Sequence, residues 1–276
     1  MTVRACVLAG FGLNCDVETA HALRLAGAEV DRVHISQLTG TPNQKPTHRL
    51  EDYQIMVFDG GFAWADDHGA GVLLATRMRR HLGQQLKAMI ERGGLVLGIC
   101  NGFQALVNLG LLPMLGGDWK RSVALADNDC GNFQDRWVDL LVEPNTRCLF
   151  TRGIERVDMP MRHAEGKLIT DPDTLARMEE QGMVVLRYAK HGKPAGGRFP
   201  YNPNGSLGDI AGICDPSGRV FGLMPHPEAY YRVSQHPSWT TWREKARRKG
   251  HRLDPYGPGA GLAIFQNAVR AAAQEM

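Results

Sequence analysis

A doubly wound α/β fold is what this sequence predicts: a central, mostly parallel sheet with helices on both faces and antiparallel strands added at one side. Three observations carry the expectation. The first hundred residues alternate strand-like and helix-like segments, which is the pattern of a parallel sheet with crossover helices. Two glycine-bearing loops, at Gly60-Gly61 and at Gly98–Gly102, each follow directly on an apolar strand, where such sheets place their ligands. From about Trp119 the pattern changes to shorter extended pieces.

In chain order, Val3–Ala9 reads as a buried strand and Asp16–Ala26 as a helix, with Asp16 suited to its start. Glu29–Ile35 is the second strand. A loop carrying Pro42 and Pro46 leads to the strand Gln54–Phe58. Val72–Glu91 has Leu74, Met78, Leu82, Leu86 and Met89/Ile90 at steps of three and four, an amphipathic helix ended by Gly93-Gly94. Leu95–Ile99 and Gly102–Leu109 follow as strand and helix. The later pieces, Trp137–Val142, Val157–Arg162, Val184–Tyr188, Asp209–Cys214 and Val220–Met224, read as antiparallel strands completing the same sheet. The basic stretch Arg243–Arg252 reads as a solvated helix surface or a docking face. Gly259–Ala273 is a last helix with Leu262, Phe265, Val269 and Ala272 on one face. No internal repeat or low-complexity linker interrupts the chain. A single domain over residues 1–276 is expected, with an extension at about 231–258 and the C-terminal helix at about 259–273.

Composition narrows the function. The 276 residues are 43% hydrophobic and 22% charged, ordinary for a soluble globular protein with an ample core. A net charge of +3 is too small to argue for nucleic acid or a membrane surface. No apolar run approaches the roughly 18–20 residues that span a bilayer, and Met1–Gly10 runs into a strand without a signal-peptide pattern, so a cytoplasmic location is expected. The six cysteines (Cys6, Cys15, Cys100, Cys130, Cys148, Cys214) show neither C-x-x-C pairing nor zinc spacing, so no metal site is expected.

The chemistry points to Gly98-Ile99-Cys100-Asn101-Gly102, a nucleophile elbow with cysteine in the place of serine. Side chains at the two glycine positions would collide as strand and helix approach. The turn sets the sulfur at the amino end of the next helix, where partial positive charge and free N–H groups favour a thiolate. A thiol nucleophile needs a base, and the base needs an orienting group. Ten histidines make histidine content uninformative, so context selects. His226 lies in Met224-Pro225-His226-Pro227-Glu228, directly after an apolar strand. Two-residue spacing in a segment held extended by Pro225 and Pro227 puts His226 and Glu228 on one side. Glu228 then accepts from one ring nitrogen and leaves the other for Cys100. The N–H groups of Gly61 and Asn101 are the expected oxyanion donors, each worth roughly 3–4 kcal/mol in the transition state. These are the parts for acyl transfer from an amide.

Together these residues make the chain resemble the triad (class I) glutamine amidotransferases. The words that carry the resemblance run in order: Asn14-Cys15-Asp16, Gly60-Gly61-Phe62, Gly98–Gln104, His163-Ala164-Glu165-Gly166, Asn202-Pro203-Asn204-Gly205-Ser206 and Met224–Glu228. The continuation Asn101-Gly102-Phe103-Gln104 and the Asn202–Ser206 segment are similar to one branch, the glutaminase subunits serving the fourth step of purine synthesis. Ala229 and Ala63 depart from that branch, where arginine and serine are usual.

The resemblance implies a flavodoxin-like fold and hydrolysis of L-glutamine to glutamate and ammonia. It also implies a large ATP-dependent synthase subunit and a small accessory subunit as partners, the product being formylglycinamidine ribonucleotide. Gln104 and Phe62 become candidates for holding the substrate, and His163 with Glu165 for positioning or an interface. Asn14 and Asp16 are expected to shape the first strand-to-helix turn. This chain has no P-loop, so ATP and Mg are expected on the synthase subunit, and no cofactor is expected here. Two rivals remain: a stand-alone cysteine amidohydrolase on the same scaffold, and a non-catalytic regulatory subunit.

Overall fold

The computed structural model describes residues 2–116 and 119–274. Its first half is βα alternation: β1 (Arg4–Ala9), α1 (Asp16–Leu25), β2 (Glu29–His34), the short α2 (Ile35–Thr39), β3 (Ile55–Phe58), α3 (Val72–Glu91), β4 (Leu95–Ile99) and α4 (Asn101–Leu109). The second half contains β5 (Ala124–Asp127), β6 (Gln134–Val142), β7 (Arg156–His163), β8 (Glu165–Ile169), α5 (Pro172–Glu180), β9 (Val184–Lys190), β10 (Lys193–Pro194), β11 (Ile210–Cys214) and β12 (Val220–Leu223). Helices α6 (Trp239–Arg248) and α7 (Leu262–Gln274) close the chain.

The main sheet runs β2-β1-β3-β4-β12-β11-β9-β6-β7, with β10 paired to β9. Strands β2, β1, β3, β4 and β12 are mutually parallel. The remaining pairings are antiparallel. Every residue of β3, β4 and β12 is buried, as expected of strands covered on both faces. Crossovers β1→β2 and β3→β4 run in opposite directions along the sheet, so right-handed connections put α1 and α3 on opposite faces. Accordingly α1 packs with α7, and α3 with α4. The chain reverses direction between β1 and β3, and the loops that follow both strands open at the same edge as Cys100 and His226.

The antiparallel half curls. Met161 of β7 forms a bridge to Pro225, just past β12, so the far end of the sheet returns to the loop that follows its centre. All five extended pieces read from the sequence join the main sheet, but β12, expected to be antiparallel, runs parallel to β4. β5 and β8 form a separate two-stranded ribbon, and α5 is a helix the periodicity did not announce. That helix rests on local signals: Asp171 caps it, accepting from Thr174 N at 2.9 Å, and Pro172 opens its first turn.

The extension folds against the body. Arg232 pairs with Pro258 and Val233 N donates to Gly257 O at 3.0 Å, closing the segment on itself. His236 stacks on Trp242 at 4.1 Å and meets Trp137 edge-on at 4.5 Å. Helix α6 buries none of its side chains, so the basic residues Arg243–Arg248 sit on a solvated helix. Among the described residues no helix is long and apolar enough to cross a membrane.

Candidate active site

The elbow forms where the glycine spacing requires it. Cys100 follows β4 and precedes α4 with φ +50° and ψ −106°, a backbone conformation that costs a non-glycine residue of order 1–3 kcal/mol. The neighbours hold it there: Cys100 N donates to Leu223 O at 2.8 Å and Gln104 N to Cys100 O at 3.0 Å. A Cβ on Gly102 would stand 1.8 Å from Phe58 O, and one on Gly98 would stand 2.9 Å from Gly102 C and O. Only glycine at both positions lets α4 start this close to β3 and β4.

His226 arrives from β12, the strand beside β4. Its backbone N donates to Pro160 O at 2.7 Å, and Nδ1 lies 2.5 Å from Glu228 Oε1, both side chains being fully buried. The route differs from the extended segment that the two prolines suggested. Pro227–Ala229 is a 3-10 turn closed by Ala229 N to His226 O at 3.2 Å. Proline's fixed φ serves the first position of such a turn as readily as a strand. The turn folds Glu228 back onto the ring, so the pair forms by a different backbone path.

Nε2 of His226 has no hydrogen-bond partner among the described residues, and Cys100 acts on the ring from nearby. Burial by itself lowers the imidazole pKa. The negative charge of Glu228 and the interaction with Cys100 outweigh burial, and the ring is held well above its ordinary value. A buried imidazole between a carboxylate and a thiol is the arrangement that a base serving a sulfur nucleophile requires. Cys100 Sγ also lies 3.5 Å from Arg162 O.

The loops after β1 and β3 line the other side. Gly60 packs so tightly on the ring that a Cβ there would sit 2.8 Å from His226 Cε1. Gly61 has φ +150°, and the Gly12–Asn14 backbone occupies the space a side chain would need. The Asn101 N–H is the first of α4, so it has no intrahelical acceptor. Among the described residues no acceptor pairs with the Gly61 N–H. The Asn101 side chain ties loop to elbow: Oδ1 accepts from Ala63 N at 3.2 Å and Nδ2 donates to Asp66 Oδ1 at 2.7 Å. Gln104 is buried, its Nε2 donating to Glu165 O at 2.7 Å and its Oε1 accepting from Asn101 at 3.1 Å. Phe62 is half exposed, tilted toward Phe133 with ring centres 6.5 Å apart. Asp16 pairs with Arg32 at 2.8 Å and Asn14 N donates to Gly60 O at 3.2 Å, so both help fix the turn after β1.

Four further groups stand near the site; His163 is a sequence candidate and Cys15 lies in the Asn14–Asp16 word, whereas sequence assigns no role to the Arg162 carbonyl or to Asp59. The curl of β7 brings Arg162 O to the sulfur. It also buries His163, whose Nδ1 meets Asn128 Oδ1 at 3.1 Å while Nε2 is unpartnered. Burial and then the charge of His226 push His163 down to about 3. Cys15 Sγ lies 4.0 Å from His226 Nδ1. Asp59, fully buried, is held well above the carboxylate range by burial and by Asp16 and Glu228. Cys15 and Asp59 follow β1 and β3 at the ligand-binding edge of the sheet, a placement that the fold class alone suffices to flag.

Comparison with known proteins places the chain in a family. Residues 2–270 match the family described as CobB/CobQ-like glutamine amidotransferase domain. The chain is 44% identical over 272 residues to the phosphoribosylformylglycinamidine synthase subunit PurQ of Dehalococcoides mccartyi, covering 99% of this chain and 98% of that one. It is 41% identical over 266 residues to the PurQ subunit of Methanococcus maripaludis, covering 95% of each. Among solved structures it is similar to a chain of PurLQS from Thermotoga maritima, with a TM-score of 0.69 and 31% identity over 98% of this chain and 99% of that one. With an elbow cysteine beside a carboxylate-held imidazole, and with matches of this extent, the chain belongs to the glutamine amidotransferase family.

Proposed function

We propose that this chain is the glutaminase subunit of a phosphoribosylformylglycinamidine synthase, releasing ammonia from L-glutamine through a thioester on Cys100. The observation that carries the proposal is the His226 ring, held at Nδ1 by Glu228 and free at Nε2, with Cys100 close enough to raise its pKa. Cys100 Sγ attacks the side-chain amide carbon, and the N–H groups of Gly61 and Asn101 receive the oxyanion. His226 Nε2 gives its proton to the departing nitrogen, and the C–N bond breaks to leave a thioester and ammonia. Water then loses a proton to the same nitrogen, attacks the thioester carbon and releases glutamate and the thiolate. Glu228 keeps the ring in the tautomer that each step needs. Phe62 contributes an apolar wall at the mouth. Gln104 acts on the substrate side by fixing Asn101 and the Glu165 backbone.

The names of the relatives and of the PurLQS structure support assembly with a large synthase subunit and a small accessory one. ATP and Mg belong to the synthase subunit in this reading, and the ammonia passes to it to convert formylglycinamide ribonucleotide to the amidine. A cytoplasmic setting suits that pathway. Cys100→Ala in the reconstituted complex should abolish glutamine-dependent amidine formation while ammonium-dependent formation persists. Persistence of the glutamine-dependent rate would remove Cys100 from the mechanism.

A further inference from the structure

The second thiol at the site has no part in glutamine hydrolysis as derived above. Cys15 follows β1, its sulfur on the Nδ1 side of the His226 ring, whereas Cys100 follows β4. Sγ of Cys15, Nδ1 of His226 and a carboxylate oxygen of Glu228 all lie within 4.8 Å of one another. They can come this close because residue 60 is glycine: a Cβ there would stand 2.8 Å from His226 Cε1 and 3.1 Å from Cys15 Sγ. A second observation points to a ligand. Glu228 is 1% exposed, yet its Oε2 has no hydrogen-bond partner among the described residues. A sulfur, an imidazole nitrogen and a carboxylate oxygen form a three-ligand zinc set, with water at the fourth position. Donor atoms around tetrahedral zinc stand roughly 3–4 Å apart. The sulfur at 4.0 Å closes in slightly, and the Nδ1 to Oε1 pair at 2.5 Å opens.

We propose that Cys15, His226 and Glu228 form an inhibitory site for a thiophilic divalent cation such as zinc. On binding, the Cys15 thiol and the Nδ1–H each release a proton to water. Metal–sulfur, metal–nitrogen and metal–oxygen bonds replace them. With the cation on Nδ1 the ring becomes a metal-bound imidazole that keeps its Nε2 proton; it is a far weaker acid than an imidazolium and has no lone pair to accept a proton, so it can neither protonate the departing nitrogen nor take a proton from water. The loss of activity rests on the glutaminase reading, whereas the binding does not.

The probes are zinc and, for its visible and near-ultraviolet bands, cobalt(II), each titrated into the full-length chain and competed with a chelator. Wild type and Cys100→Ala should each bind one cation with a cobalt–thiolate charge-transfer band. Cys15→Ser should lose the band and bind at least tenfold more weakly. In the assembled complex, zinc should inhibit wild-type glutamine turnover reversibly, and Cys15→Ser should resist it at least tenfold. Should Cys15→Ser retain the band, or Cys100→Ala abolish it, the cation sits on Cys100 and the proposal is overturned. Normal cation binding by a wild-type complex that turns over no glutamine would instead fail the glutaminase reading.

Discussion

At the scale of single residues, the site is a charge relation between three side chains from two neighbouring strand ends. Glu228 counters the burial that by itself would strip His226 of its proton. Glu228→Gln should therefore lower kcat by about 10²–10⁴-fold, with little change in the folded structure, as orienting carboxylates do elsewhere; steady-state kinetics and circular dichroism check both halves. Gly60→Ala tests the packing. Its new Cβ must displace the ring or Cys15 Sγ, and a misplacement approaching 1 Å should cost about 10²-fold in kcat/KM. Cys100, Asn101, Gly98 and Gly102 were legible in sequence because strand, turn and helix lie within a dozen residues. His226 and Glu228 were legible by the same local logic, although the backbone between them turns rather than extends. His163 was legible only as a positioning or interface residue, and Arg162 O not at all, because both reach the site only when β7 curls back onto the loop after β12.

Among the elements, four parallel strand ends act as one platform. β1, β3, β4 and β12 deliver the Gly10–Cys15 loop, the Asp59–Phe62 loop, the elbow and the histidine to the same edge. The approach of α4 to β3 is the tightest joint, so Gly102→Ala should lower stability by about 2–3 kcal/mol through overpacking, read as a reduced midpoint in urea. The antiparallel half leaves a different signature. His163 stays neutral in the folded chain, pressed down to about 3 by burial and by His226, whereas an unfolded histidine takes a proton near 6.5. Between those values the unfolded state binds more protons, so stability is present above about 6.5 and falls as pH drops toward 3. His163→Gln should flatten that part of the pH–stability curve, and an unchanged slope would assign the acid sensitivity elsewhere. Strands β1 to β4 were readable from βα alternation and continuous apolar runs, whereas β12 reads as antiparallel because no crossover helix precedes it. The β5–β8 ribbon and α5 were not readable, because their residues are mixed in period and are fixed by caps and long-range pairing.

For the whole molecule, the half-exposed aromatics Phe62 and Phe133 stand together where the loop after β3 reaches the active edge of the sheet. The isolated chain should hydrolyse glutamine slowly and accelerate when the synthase subunits are added; equal rates in both states would mark an autonomous hydrolase. The extension could be placed from sequence only as an interruption before the last helix. Its docking through His236, Trp242 and Trp137 joins segments about a hundred residues apart in the chain, and local pattern does not carry that. The most direct measurement on the mechanism is peptide mapping after the complex has been treated with a glutamine-like electrophile. One adduct per chain on the Cys100 peptide, with loss of glutamine turnover and retention of ammonium turnover, is the expected result. Modification at Cys15 or any other cysteine, with Cys100 unlabelled and turnover lost, would contradict it.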